Sequence, residues 1–440
     1  MSLKRFEDII AYKSDLGITA FHARNLEVAD VSEELFEQMT SIGLKTSTVP
    51  ALNARAPFDE AESFRALQSW NLEQNPDVIS GYVKFGIKSL TLNVTQICNL
   101  KCNYCAAGGD GTYGEAINKV SIEKTLPQIK FFLESLKDGG VFNLSFVGGE
   151  PFLYPEAMKV IYDYVLAETA GRNIECRFMV TTNGTLITDQ VVEMLKTMKI
   201  FITVSLDGTK SINDIVRPSK SGRSSTDATL KGLKKLATIR PHLAAIGIAA
   251  VVTKQNINIK ENYLFFKSLN VDWCEFNFAY GERDPETQQE YLKQMGEIFE
   301  IAWQAGGEDE LRKIRTINAY FDVLDSQQRI ENFCGAGKSY LMIDAKNRLY
   351  TCPWLVGEKE EVVGENSLLD YDKLDKYQKP LVELNNCSNC WARFVCGGGC
   401  MFVNRENTGS KHIKDEMFCE RTRGLILLSI LYYKRARAAA

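Results

Sequence analysis

The sequence predicts an α/β fold, and two observations carry that reading. From Ser89 onward, strand-like and helix-like runs alternate, the pattern of parallel strands joined by helical crossovers. The cysteine loop 98–105 and the turn Gly148–Pro151 directly follow strand-like runs, where parallel sheets bind ligands. Strand-like runs cover 89–95, 141–147, 174–182, 199–206, 244–253 and 272–278; helix-like runs lie near 121–137, 155–169, 188–197, 224–238 and 258–268. Spacing alone leaves open whether such a sheet closes into a barrel.

Residues 1–86 read as a small α+β module in front of this core. Short strand-like pieces cover Phe6–Tyr12, Ile18–His22 and Leu26–Ala29. Asp30 or Ser32 then caps a helix running through Met39. The Pro50–Pro57 stretch reads as a loop, and a second helix runs from near Asp59 to about Leu72. A winged-helix-like adaptor and an extension that pads the main domain both fit this pattern. The α/β core spans 87–280, a polar helical linker 281–333, and a cysteine-rich region with a terminal helix 334–440.

Bulk composition narrows the function classes. The 440 residues are 45% hydrophobic and 25% charged with a formal net charge of −4, which gives no electrostatic reason to expect nucleic acid. The basic run Lys434, Arg435, Arg437 reads as a solvated tail. Leu425–Tyr433 is too short to span a bilayer, which takes about 20 residues. The first residues lack the apolar segment of a secretory signal, so the cytoplasm is the expected compartment and no membrane partner is expected.

Ten of the twelve cysteines fall into two spaced groups, which without an export signal points to metal ligation rather than disulfides. Cys176 and Cys274 lie in apolar runs and read as small buried hydrophobes. The first group is Cys98-x3-Cys102-x2-Cys105. Three thiolates can hold three irons of a [4Fe–4S] cube and leave the fourth open to an amine and a carboxylate. A zinc site is the alternative for either group.

With Tyr104 before its third cysteine, the first group resembles the cluster loop of the radical S-adenosylmethionine (SAM) enzymes. That resemblance implies a partial (β/α)6 TIM-like barrel, with Tyr104 against the adenine of SAM. Gly148-Gly149-Glu150-Pro151, after the second strand, matches the family's GGEP element. Its glycines would allow close backbone approach, and Glu150 would receive the methionine ammonium. The polar turn Thr181–Thr185 fits a structural role as well as a functional one. Ser205 and Arg217 resemble a pair that contacts the SAM ribose and carboxylate in the subgroup containing the anaerobic sulfatase-maturating enzymes. An arginine fork suits a carboxylate. Asn213-Asp214 departs from the His-Asp common there.

The second group, Cys334-x17-Cys352 and then Cys387-x2-Cys390-x5-Cys396-x3-Cys400-x18-Cys419, resembles the seven-cysteine SPASM domain. The resemblance implies two auxiliary [4Fe–4S] clusters, three cubes in all. Cys334, Cys352 and Cys400 would hold the first, and Cys387, Cys390, Cys396 and Cys419 the second. Gly397–Gly399 would give the tight backbone path that brings thiolates to different irons. Asn347 stands where the family has glycine, a mild departure because Asn tolerates left-handed angles. Tyr340 stands where some members add a cysteine, which leaves the fourth iron of the first auxiliary cluster to a substrate thiolate or to another side chain. Pro353 stands where sulfatase-maturating enzymes carry a catalytic Asp.

These features look most like the ribosomal-peptide maturases. In that group an N-terminal module binds a precursor's leader, commonly as an added strand. The radical derived from SAM takes hydrogen from the core peptide, and an intrapeptide link forms, thioether or carbon–carbon. The auxiliary clusters would accept the second electron, and a flavodoxin- or ferredoxin-type protein would supply the first. Formylglycine formation on a sulfatase is one alternative. A non-catalytic iron–sulfur redox protein is the other, and the presence of Glu150, Ser205 and Arg217 argues against it. His22, His242 and His412 lie outside every motif, so no general base is legible.

Overall fold

The structure, a computed structural model, describes residues 2–14, 17–45, 62–81, 86–105 and 115–439. The chain divides into two compact units that are not consecutive in sequence. Residues 1–82, 295–334 and 379–440 form one; 83–294 and 335–378 form the other.

The first unit opens with β1 (Ser2–Phe6), β2 (Ile9–Ser14), β3 (Gly17–His22), β4 (Glu27–Asp30) and β5 (Thr40–Ile42), an antiparallel sheet in the order β4-β3-β2-β1-β5. The strand expected over Phe6–Tyr12 is two strands, because Glu7 takes a left-handed φ of 47° and turns the chain. Both faces of the sheet are covered, which is why that run reads as one. Phe6, Ile9 and Ala11 pack with Phe36 and Leu67, while Leu3, Ile10 and Phe21 pack with Trp391, Val395 and Ile426. Ser32 caps the helix Glu33–Glu37 by accepting from the Leu35 amide at 3.2 Å. That helix stops short of the expected Met39 because Thr40–Ile42 returns to pair with β1. The helix Glu62–Leu72 forms as expected. Its expected start near Asp59 and the 50–57 loop lie outside the described residues. A short strand, β6 (Ile79–Ser80), follows.

The second unit is built on β7 (Ser89–Thr95), β8 (Val141–Gly148), β9 (Glu175–Thr182), β10 (Ile200–Ser205), β11 (Ala245–Val252) and β12 (Trp273–Phe278), each parallel to the next. The five expected helices form between them, and one more, Lys210–Val216, follows β10. Burial alternates along β8–β12, while β7, in the middle of the ten-stranded sheet, is buried on both faces. Leu92, Phe146, Phe178, Ile202, Ile248 and Phe276 are buried, and Tyr162 and Phe266 of the intervening helices reach Phe178 and Phe276 at 4.3 and 5.7 Å between ring centroids. The opposite face, with Asn143, Ser145, Met179, Thr203 and Glu275, stays half exposed.

In the first unit β13 (Gln328–Arg329) pairs with β6. The sheet of the second unit then gains β14 (Tyr340–Ile343), parallel to β7, and β15 (Arg348–Tyr350), β16 (Val362–Glu365) and β17 (Leu368–Leu369), all antiparallel. Ten strands run from β12 to β17, and these pairings leave the sheet open. Leu341, Met342 and Ile343 are fully buried, so this part of the cysteine-rich region belongs to the sheet.

The basic run at the C-terminus is not a solvated tail. It ends the helix Glu416–Ala439, where Lys434 pairs with Asp30, Arg435 with Glu300 at 2.7 Å, and Arg437 with Glu308 at 2.6 Å. Leu425, Ile426, Leu427 and Ile430 of the same helix are buried, so the short apolar stretch is a packing face. Among the described residues no helix is long and apolar enough to cross a membrane.

Candidate iron–sulfur and SAM site

The loop after β7 carries Cys98, Cys102 and Cys105, and the GGEP segment holds it from below. Gly149 and Glu150 donate their amides to the carbonyls of Thr95 and Ile97 at 2.7 and 2.9 Å. A Cβ on Gly149 would lie 2.1 Å from the Ile97 carbonyl carbon, and one on Gly148 2.3 Å from the Thr95 oxygen. The close approach these glycines allow is thus to the cluster loop itself. Gly149→Ala should therefore cost about 1–3 kcal/mol of overpacking and displace the loop. Iron content per chain and anaerobic SAM binding check this; normal values for both would contradict it.

Glu150 is fully buried. Its Oε1 accepts from the Phe152 amide at 3.1 Å and the Thr182 hydroxyl at 2.7 Å, and its Oε2 from the Asn183 amide at 2.7 Å. Burial pushes its pKa up, opposed by these donors. A carboxylate offers about four acceptor sites, so capacity for an ammonium remains. Asn183 also donates to Asn99 at 2.8 Å and to the Cys98 sulfur at 3.7 Å, and Asn99 donates to Thr185 at 2.8 Å. The polar turn that fitted either role is the tie between cluster loop and GGEP loop.

Burial raises the pKa of the Cys98 thiol and takes Cys102 to about 11; Arg217 opposes this, and each of the two is raised further by Cys105. The Leu100 amide and the Asn183 carboxamide both point donors at the Cys98 sulfur. Three interacting thiols supplied with N–H donors suit iron, which takes the place of their protons.

Tyr104, Asp207 and Arg217 form one buried group. The Tyr104 hydroxyl donates to Asp207, Arg217 donates to the Tyr104 oxygen, and Arg217 lies 3.8 Å from Asp207. Asp207 is fully buried and also accepts from the Val251 amide at 2.9 Å. The sequence reading assigned Asp207 no role; its signal was an acid at the carboxyl end of a parallel strand, directly before Gly208. Asn213, the departure from His, accepts the Asp207 amide at 2.9 Å and donates to Thr226 at 2.9 Å, so it helps seat that acid. Ser205 ends β10, half-buried.

The other unit holds the second constellation. Cys387, Cys390, Cys396 and Cys419 line one cavity together with Gly398, Gly399, Arg393, Lys414 and Arg423. Burial, reinforced by neighbouring thiols, raises Cys387 to about 11, Cys419 to about 12 and Cys396 further. Gly397, Gly398 and Gly399 all have left-handed φ, at 74°, 94° and 82°. A Cβ on Gly398 would meet the Leu381 backbone at 2.8 Å, so the tight path expected of the three glycines is present. Cys334 lies in the same unit and adds to the burial that takes Cys400 to about 11. Cys352 follows β15 in the sheet unit, where Asn347 makes the preceding turn with φ 65°. Among the described residues no three potential ligands converge on a single ion; a cube instead gives each thiolate its own iron.

The remaining candidates stand apart. Cys274 is buried, and the Cys176 sulfur lies 3.5 Å from the Thr169 hydroxyl. His22 is fully buried with Nε2 3.0 Å from the Trp70 carbonyl, and burial pushes its pKa down. His412 lies 3.0 Å from the Asn385 side chain, and His242 sits in an exposed turn.

Residues 92–263 match the model of the radical SAM superfamily. The chain is 30% identical over 274 residues to the uncharacterized protein MJ0907 of Methanocaldococcus jannaschii, covering 62% of this chain and 87% of that one. It is 25% identical over 336 residues to the mycofactocin maturase MftC of Mycobacterium tuberculosis, covering 71% and 78%. Among solved structures, Streptococcus suis SuiB bound to its precursor peptide SuiA aligns with a TM-score of 0.52 at 17% identity, over 95% of this chain and 100% of that one. The match to the superfamily model spans β7 to the helix after β11, the stretch that contains the cluster loop and its glycine support, and with 87% of a 30%-identical relative covered, the chain belongs to the radical SAM superfamily, whose members use a [4Fe–4S] cluster and SAM.

Proposed function

We propose that the chain is a peptide maturase of the SPASM subgroup, holding three [4Fe–4S] clusters and SAM and installing an intrapeptide cross-link in a ribosomal precursor peptide. The observation that carries this reading is the second set of four thiols lining one cavity, in the unit that also contains the N-terminal sheet. MftC is named as a maturase, and the SuiB alignment, made with SuiB in complex with a precursor peptide, extends over nearly the whole chain. Pro353, in place of a catalytic Asp, disfavours formylglycine formation.

Cys98, Cys102 and Cys105 would hold three irons, and Glu150, Ser205 and Arg217 the methionine and ribose parts of SAM. The Tyr104 ring would lie along the adenine, fixed from behind by Asp207. Bound there, cluster and SAM supply a carbon-centred oxidant able to take hydrogen from an unactivated C–H bond. The half-exposed polar face of β8–β12 is the surface that would receive the core peptide. The leader would add as a strand beyond β5, which among the described residues pairs only with β1. Cys334, Cys352 and Cys400, lacking a fourth cysteine, would leave an iron for a substrate thiolate. A flavodoxin- or ferredoxin-type protein would donate electrons in the reducing cytoplasm.

Anaerobic reaction of reconstituted enzyme, SAM and reductant with the peptide encoded beside its gene should lower the peptide mass by two hydrogens per link. If the peptide stays unmodified while a sulfatase-derived Cys or Ser peptide gains an aldehyde, the maturase reading fails.

A further inference from the structure

The N-terminal sheet reaches the Cys390 loop through two buried arginines and a part-buried aspartate. Arg5, on β1, is 3% exposed, and its Nη1 donates to the Asn389 carbonyl at 2.7 Å. Arg393, equally buried, donates to the Cys390 carbonyl at 2.9 Å and pairs with Asp8 at 2.7 Å. Asp8 sits in the turn between β1 and β2 and also pairs with Arg24 at 2.7 Å. Leu3, Ile10 and Phe21 pack in one core with Trp391, Ala392 and Val395. Arg5 is also close enough to the Cys390 thiol to feel its charge. None of these contacts is needed merely to dock a peptide at the sheet edge.

Cluster potentials respond to nearby charge and to hydrogen bonds at the ligating loops. A reduced cube carries one more negative charge, so a neighbouring cation favours reduction and an anion opposes it. Burial leaves such charges weakly screened. Lys414 and Arg423 line the same cavity, as does Glu416. Arg5 and Asp8 differ from these because they come from the module proposed to bind the leader.

We propose that Arg5 and Asp8 set the reduction potential of the second auxiliary cluster through the Cys390 loop, Arg5 raising it and Asp8 lowering it. The module then backs the Cys390 loop from outside the cavity as well as serving as a docking site. Arg5 lies on β1, and β5 pairs with β1 at Arg5–Thr40. A strand added beyond β5 would stand one strand from the charge in question. This inference rests on Cys387, Cys390, Cys396 and Cys419 holding a [4Fe–4S] cube.

The test is an EPR-monitored redox titration of the full-length reconstituted chain. The second auxiliary cluster is identified as the signal that Cys387→Ala removes. Arg5→Gln should lower its midpoint enough to shift the reduction equilibrium about tenfold, ~59 mV for one electron. Asp8→Asn should move it upward, and Arg5→Lys should stay near the parent. Loosened packing would move both variants the same way, so opposite signs separate electrostatics from damage. Equal or same-sign midpoints with the signal intact overturn the inference alone. If Cys387→Ala removes no signal, the cluster reading fails first and takes the inference with it.

Discussion

Replacing Cys98, Cys102 or Cys105 by Ala abolishes SAM cleavage, with 5′-deoxyadenosine formation falling to the uncatalysed background. Each thiolate holds one iron of a cube whose fourth iron must stay open, so losing any of them loses the cube. The loop has no slack to recruit a substitute. Its backbone is clamped by Gly149 and Glu150, and Asn183 and the Leu100 amide are both aimed at the Cys98 sulfur. Cys176→Ala and Cys274→Ala are the controls, since neither lies near the loop's hydrogen-bond network. Both should keep full activity, Cys274→Ala with a small stability loss. Chromatography of 5′-deoxyadenosine with an iron count per chain reads the result: the loop variants should lose one cube's worth of iron and all product. Undiminished product from any loop variant would refute the cluster assignment.

The parallel sheet was legible because one of its faces is dry. Leu90, Leu92 and Val94, then Phe142, Leu144 and Phe146, alternate with other residues, and that two-residue period marks the first two strands, while β11 shows instead as a continuous apolar run. The helices fill the helix-like runs between the strands, and Ser121, Thr188 and Ser224, whose hydroxyls each accept from the first turn, cap three of them. The cluster loop and its glycines were legible for a different reason, as chemistry concentrated at strand ends. What stayed hidden depends on partners distant in sequence. Tyr340–Ile343 looks like part of a cysteine-rich region until β7 is there to pair with it. Asp207 looks like a turn residue until Tyr104 and Arg217 fold onto it.

The N-terminal residues gave the largest difference of this kind. Taken as a leader-recognition module, as the resemblance implies, 1–86 should be excisable with impaired peptide modification and slow SAM cleavage spared. The structure instead puts Leu3, Ile10 and Phe21 into one core with Trp391, Ile426 and Ile430. Excision would expose that core next to Cys390 and Cys396. Point changes at Arg5 and Asp8 therefore probe the module more cleanly than truncation does.

Asp207→Ala should be the most damaging single change outside the cysteines. It removes the carboxylate beside Arg217, a guanidinium that is 8% exposed, and breaking one side of a buried ion pair costs about 3–5 kcal/mol. It also strips the Tyr104 hydroxyl of its acceptor and the Val251 amide of its partner. Asp207→Asn keeps the shape and an acceptor but loses the charge, so its cost should be smaller, about 1–3 kcal/mol. Two readouts separate structure from positioning. Hydrogen exchange at the Val251 amide should speed up in Asp207→Ala, because that amide loses the carboxylate it donates to. The KM for SAM should rise at least tenfold in both variants, more than kcat falls, because Tyr104 and Arg217 lose the group that aims them while the three thiols stay in place. Tyr104→Phe should reproduce part of the KM effect and leave the Val251 amide protected. Unchanged exchange together with an unchanged KM in Asp207→Ala would remove this acid from the site.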